Sequence, residues 1–132
     1  MTPAIVPCRM LCDVGNFRNL RVWQAAQELA IETHRICGTM RGPASMTLRD
    51  QLVRAMMSVP ANIVEGSAHS SPREFARFLS YALASVSEGE GHAQLACDIG
   101  LITRSDFENL LRRIVDVRKM LHGFLKTLRA TQ

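Results

Sequence analysis

Aromatic side chains are scarce in this chain: one tryptophan, one tyrosine and five phenylalanines in 132 residues. Stacking of single-stranded bases needs several exposed rings, so with little beyond Trp23 and Tyr81 to offer, that mode of nucleic-acid binding is not expected. Lysine is scarcer still, only Lys119 and Lys126 against 14 arginines. No apolar run approaches the ~18 residues of a membrane span. No Cys-x-x-Cys or Cys/His pair has zinc-site spacing: Cys8 and Cys12 are separated by three residues, and Cys37 and Cys97 stand alone in helical patterns. Neither a metal nor a cofactor is therefore expected. Reduced thiols, with Cys37 and Cys97 as small core residues, fit a cytoplasmic protein. The start of the chain has no basic region, and Pro7 and Arg9 interrupt its apolar part, so no signal peptide is expected.

What is present is helical punctuation. Hydrophobic residues make up 47% of the chain, enough to fill one core at this length. Residues 1–16 lack periodicity and hold Pro3, Pro7 and Gly15, so they are expected to form a flexible N-terminal arm on a domain of residues 17–132. A first helix is predicted from about Leu20 to Met40, with Asn19 as its N-cap and Val22, Ala26, Leu29, Thr33 and Ile36 on its apolar face. Trp23 lies on that face as a core or interface anchor. Gly42-Pro43 ends the segment. Thr47-Leu-Arg-Asp50 has capping-box form and is predicted to open a second helix, kinked or divided at Pro60 and stopped by Gly66. Ser71-Pro-Arg-Glu74 is a fuller capping box, opening a third helix that Gly100 stops, with a bend expected near Gly91. Thr103-Arg-Ser-Asp106 caps a fourth, where Phe107, Ile114, Leu121 and Leu128 alternate with Leu110, Val117 and Phe124 over three heptads. Four capped helices, short connections and no credible strand give an all-α fold, an antiparallel up-down-up-down four-helix bundle.

Polar residues follow the same period. Arg54, Ser58, Asn62 and Glu65 line one stripe of the second helix; Arg77, Ser85, Glu88 and His92 line one of the third. An antiparallel hairpin register sets Arg54 opposite Glu88 and Glu65 opposite Arg77. The stripes are thus expected to form a mutually satisfied polar seam that fixes register. An acid/base site at Glu65, Glu88 and His92 is the competing reading, but nothing supplies a nucleophile or metal ligands beside it, and no enzyme activity is expected.

The net charge of +4 is a mild basic excess. On the fourth helix Arg112, Lys119 and Lys126 recur every seven residues outside the apolar seam, with Arg113 beside them. Such a line suits phosphates of RNA or DNA, bound with strong salt dependence and without base reading. The alternative is a structural or protein-interaction scaffold on which that charge is incidental.

Three blocks carry a family resemblance: LRVWQAAQEL at Leu20–Leu29, QLVRAMMSVPANIVEG at Gln51–Gly66, and EFARFLSYALAS at Glu74–Ser85, followed by Glu88 and Glu90. From about Phe17 onward the chain resembles the four-helix bundle protein family, also called the 23S rRNA intervening-sequence protein family. His69 and Ser70 stand where relatives tend to carry arginine, which removes the charges a nucleic-acid role at the second loop would use. The resemblance implies a cytoplasmic bundle that assembles as a homopentamer, with no enzyme activity. A distantly similar accessory protein of diversity-generating retroelements binds nucleic acid, which makes RNA or DNA the partner class implied.

Overall fold

The computed structural model describes residues 16–69 and 71–130. Four helices carry nearly all of it: α1 (Arg21–Cys37), α2 (Met46–Ser67), α3 (Pro72–Asp98) and α4 (Arg104–Ala130). Short 3-10 turns at Phe17–Asn19 and Pro43–Ser45 lead into α1 and α2. No strand occurs among the described residues. The expected N-terminal arm, except Asn16, lies outside them.

Each helix is amphipathic at the helical period, and the four apolar stripes meet in one core. Leu29, Ile36, Leu52, Met56, Ile63, Leu79, Val86, Leu110, Ile114 and Leu121 are fully buried there. Burying each such side chain contributes about 1.5–3 kcal/mol, which offsets the chain entropy lost on ordering. Helix α2 packs on α1 and α3, and α4 closes the bundle against α3 and α1. The α4 heptads behave as expected. Phe107, Leu110, Ile114, Val117 and Leu121 are buried, while Phe124 and Leu128 are half-buried toward the helix end. Thr33 takes a core position because its hydroxyl donates back to the Leu29 carbonyl at 2.8 Å, leaving no orphan donor.

Two of the four expected caps form. The backbone N–H of Glu74 donates to Ser71 Oγ at 3.3 Å, and that of Asp106 donates to Thr103 Oγ1 at 3.0 Å. The other two do not. Asn19 belongs to the 3-10 turn, so the N-cap of α1 is Leu20, and both polar atoms of the Asn19 amide are buried without a partner. Thr47 is already inside α2, because the turn at Pro43–Ser45 starts that helix earlier, at Met46. A local turn that nucleates the helix one residue ahead of a capping motif makes the motif redundant.

Neither Pro60 nor Gly91 divides its helix. Helix α2 runs unbroken through Pro60, which is buried between neighbouring helices. Gly66 does not stop it, since the helix continues to Ser67. A Cβ at Gly66 would stand 2.7 Å from Phe75 Cδ1 and 2.9 Å from Phe78 Cβ, closer than real contacts allow. At the far end of the same interface, a Cβ on Gly89 would meet Met56 Sδ at 2.5 Å. The early part of α2 thus meets the late part of α3 and the end of α2 meets the start of α3, an antiparallel pair in close approach at the two glycines. Gly91 has nothing within 4 Å of its Cβ direction, and α3 passes through it without a break.

Candidate nucleic-acid interface

The close approach at Gly66 and Gly89 decides where the polar stripes go. With the small residues turned inward, Arg54 and Glu65 on α2 and Arg77 and Glu88 on α3 are exposed, and Ser58, Asn62 and Ser85 are half-buried. The expected seam is not made. Ser58 Oγ donates to the Ala55 carbonyl at 2.7 Å, and Asn62 Nδ2 donates to the Ser58 carbonyl at 2.8 Å. Arg77 donates to Glu74 at 2.8 Å and to the Tyr81 hydroxyl at 3.3 Å, and Glu88 pairs with His92 at 3.3 Å. Every one of these bonds stays within its own helix. Among the described residues, Arg54, Glu65 and Ser85 have no side-chain hydrogen bond or ion pair. Glu65 likewise shares none with Glu88 or His92, so the acid/base reading gains no geometry. The hairpin register was close to that expected, but the rotation of the helices about their axes was not.

Cross-helix polar contacts occur on the other side of the bundle, between α1 and α4. Asn109 Nδ2 donates to Glu32 Oε2 at 3.0 Å, and Arg113 lies 3.6 Å from the same carboxylate and 3.9 Å from that of Glu28. Arg35 bridges Glu32 to Asp106 of α4 at 3.7 Å. Arg113, read from the sequence as a phosphate ligand, is therefore a structural ion-pair partner, half-buried and also donating to Asn109 at 3.1 Å. The hydrogen bond from Arg35 holds the Glu32 carboxyl below its ordinary range against the opposing effect of burial, and Asn109 and Arg113 lower it further. A carboxyl depressed in the folded state stabilises the fold above its unfolded value, near 4.5, and that contribution is lost as pH falls through the lower folded value. Glu32→Gln is therefore expected to lower stability at neutral pH and to flatten the acid limb of a urea-midpoint profile below about pH 4.5. An acid limb as steep as that of the native chain would remove Glu32 from this role.

With Arg113 diverted, the basic line narrows to Arg112, Lys119 and Lys126. All three are exposed, and none has an ion-pair partner among the described residues. Arg118, which was not part of that line, pairs with Glu90 of α3. The remaining charges stand about 10 Å apart along one stripe of α4. Glu108 and Asp116 are exposed nearby and reduce the field without pairing to the line.

The α1/α2 side presents the opposite chemistry. A trough of about 510 Å³ is lined by Phe17, Trp23, Ile31, Met57, Pro60 and Val64. It shares His34, Met57 and Ala61 with a second depression of about 640 Å³ that reaches Cys37, Val53 and Arg54. Ile31 is 60% exposed and Met57 58%, while Trp23 is half-buried with its ring edge-on to Phe17 at 5.0 Å. Contiguous apolar surface of this kind marks an interaction face more often than a solvated one. Cys37 at its edge is a core thiol, pushed up to about 11 by burial against the lowering effect of Arg49, and so protonated and unreactive. Cys97 is also a free thiol, and Cys8 and Cys12 lie outside the described residues. Among the described residues no three potential metal ligands cluster, and no helix is long and apolar enough to cross a membrane.

Comparison with known proteins bears on the fold and the family. A crystal structure of a protein with unknown function from the S23 ribosomal protein family of Bacteroides thetaiotaomicron VPI-5482 superposes with a TM-score of 0.74. The two share 24% identity over 80% of this chain and 98% of that one, a level at which the likeness speaks for the fold alone. No curated protein matches. The sequence signature described as 23S rRNA-intervening sequence protein matches residues 18–123, from the turn before α1 to the last third of α4. The chain belongs to the 23S rRNA-intervening sequence protein family.

Proposed function

We propose that this protein is a non-enzymatic, oligomeric helical bundle that holds the phosphate backbone of RNA or DNA against the outer face of α4. The observation that carries the reading is the stripe of Arg112, Lys119 and Lys126, exposed and unneutralised by ion pairs while Arg113 and Arg118 beside it are paired. Charges about 10 Å apart on a rigid helix can each meet a separate phosphodiester. The apolar trough between α1 and α2 supports assembly with further copies of the chain, into the homopentamer that the family resemblance implies. A ring of such subunits multiplies the basic stripe, so weak contacts add to useful affinity.

The test is binding of labelled RNA duplexes of unrelated sequence, measured by fluorescence anisotropy. The native protein should bind them within a few-fold of one another, and R112Q/K119Q/K126Q should bind all of them roughly tenfold more weakly or worse. Unchanged binding by that variant favours the competing scaffold reading, in which the trough alone carries the function.

A further inference from the structure

Arg129, which the sequence left off the α4 line, follows Lys126 by three residues and joins a cluster on the neighbouring helix. The last turn of α4 brings it beside the first two turns of α3, where Arg73, Arg77 and Arg129 surround a depression of about 500 Å³ with Glu74 and Ser80 in its wall. The three guanidinium groups are not equivalent. Arg77 is anchored: it donates to Glu74 at 2.8 Å and to Tyr81 at 3.3 Å, and its plane lies over the Phe78 ring at 5.2 Å. Arg73 and Arg129 are exposed, and neither has a hydrogen-bond or ion-pair partner among the described residues. Ser80 spends its hydroxyl proton on the Ala76 carbonyl at 3.1 Å. The donors that remain therefore belong to two free arginines placed next to a fixed one.

We infer that Arg73, Arg77 and Arg129 form a site for a phosphate monoester, the terminal phosphate of a nucleic-acid strand lying along α4. Charge selects the ligand. Three guanidinium groups against the one carboxylate of Glu74 leave an excess of two positive charges in a single depression. A terminal phosphate carries about −1.5 to −2 at neutral pH, whereas an internal phosphodiester carries a single charge. The spaced charges of Arg112, Lys119 and Lys126 suit diesters taken one at a time; the cluster suits a dianion. Planar guanidinium groups also offer paired N–H donors that match phosphate oxygens. The positive end of the α3 dipole, at Pro72, adds to the same field. The identity of the ligand as a strand end rests on the backbone-binding reading above, while the phosphate selectivity rests on the cluster itself.

The experiment compares the full-length native chain with R73Q/R129Q and with R112Q/K119Q. All substituted positions are exposed, so circular dichroism should show the same helix content in each. One RNA sequence is presented with a terminal phosphate at either end and with hydroxyls at both. The terminal phosphate is expected to tighten binding roughly tenfold in the native chain and in R112Q/K119Q, and to give no gain in R73Q/R129Q. A gain absent from the native chain, or retained by R73Q/R129Q, overturns the assignment. If no RNA binds at all, the backbone-binding reading fails on its own, and inorganic pyrophosphate then tests the cluster directly. Thermal protection of the native chain but not of R73Q/R129Q, at matched ionic strength, keeps the phosphate site; equal protection or none removes it.

Discussion

Gly66→Val is expected to cost about 3 kcal/mol of folding stability, read as a lowered urea midpoint at unchanged slope. The residue sits in the last turn of α2, where glycine would ordinarily be read as a stop, yet the helix runs past it. The reason for glycine there is space. A Cβ would meet Phe75 Cδ1 at 2.7 Å and Phe78 Cβ at 2.9 Å. The second of these atoms is bonded to the backbone, so relief requires α3 itself to move away. The first cannot swing freely, because the Phe75 ring is packed edge-on against Phe124 of α4 at 5.0 Å. Three helices thus register on one absent side chain. Gly91→Val, in the same bundle but with nothing within 4 Å of its Cβ direction, is expected to stay within about 0.5 kcal/mol of the native chain. Equal effects at the two positions would show that helix propensity, and not interhelical clearance, sets the cost.

The second large effect concerns assembly. I31E/M57E is expected to convert the proposed oligomer into a folded single chain, so that the mass from light scattering drops to 14.7 kDa. For a homopentamer the drop is fivefold. Both residues are more than half exposed, so the substitutions leave the core of each subunit intact, and circular dichroism should be unchanged. In an assembly that buries the trough, each glutamate would be desolvated without a partner, a penalty of several kcal/mol per charge that recurs at every interface. A native chain that already scatters at 14.7 kDa would contradict the oligomer, and a double variant that stays assembled would place the contact elsewhere.

The number and order of the helices could be read from the sequence, and the reason is periodicity. Leu110, Ile114, Val117 and Leu121 are buried because heptad spacing leaves them no other face, and Ser71 and Thr103 cap because each immediately precedes a clean apolar period. Asn19 and Thr47 misled because a residue type alone does not say whether a preceding 3-10 turn will move the helix start. The polar stripes misled for a subtler reason. Spacing assigns Arg54, Asn62 and Glu65 to one stripe, but the direction of that stripe depends on which side α3 approaches. Gly66 and Gly89 were the available signal: two glycines within helical patterns, one toward each end of the α2/α3 contact, mark the strip where the helices touch. The basic line was legible as a line, and its membership was not. Arg113 left it for Glu32, a partner contributed by α1 that no local pattern on α4 could foretell.

The most direct test of phosphate binding by α4 is the salt dependence of RNA affinity for the native chain beside R112Q/K119Q/K126Q. Three phosphate contacts per subunit give a slope of log affinity on log salt of roughly −2 for single strands and about −2.7 for a B-type duplex. A change from 50 to 200 mM salt should then weaken native binding by roughly 20–40-fold per bound subunit, and the triple substitution should remove most of that slope. A native slope near zero, or one that the substitution leaves unchanged, would contradict the assignment of Arg112, Lys119 and Lys126 to the phosphate backbone.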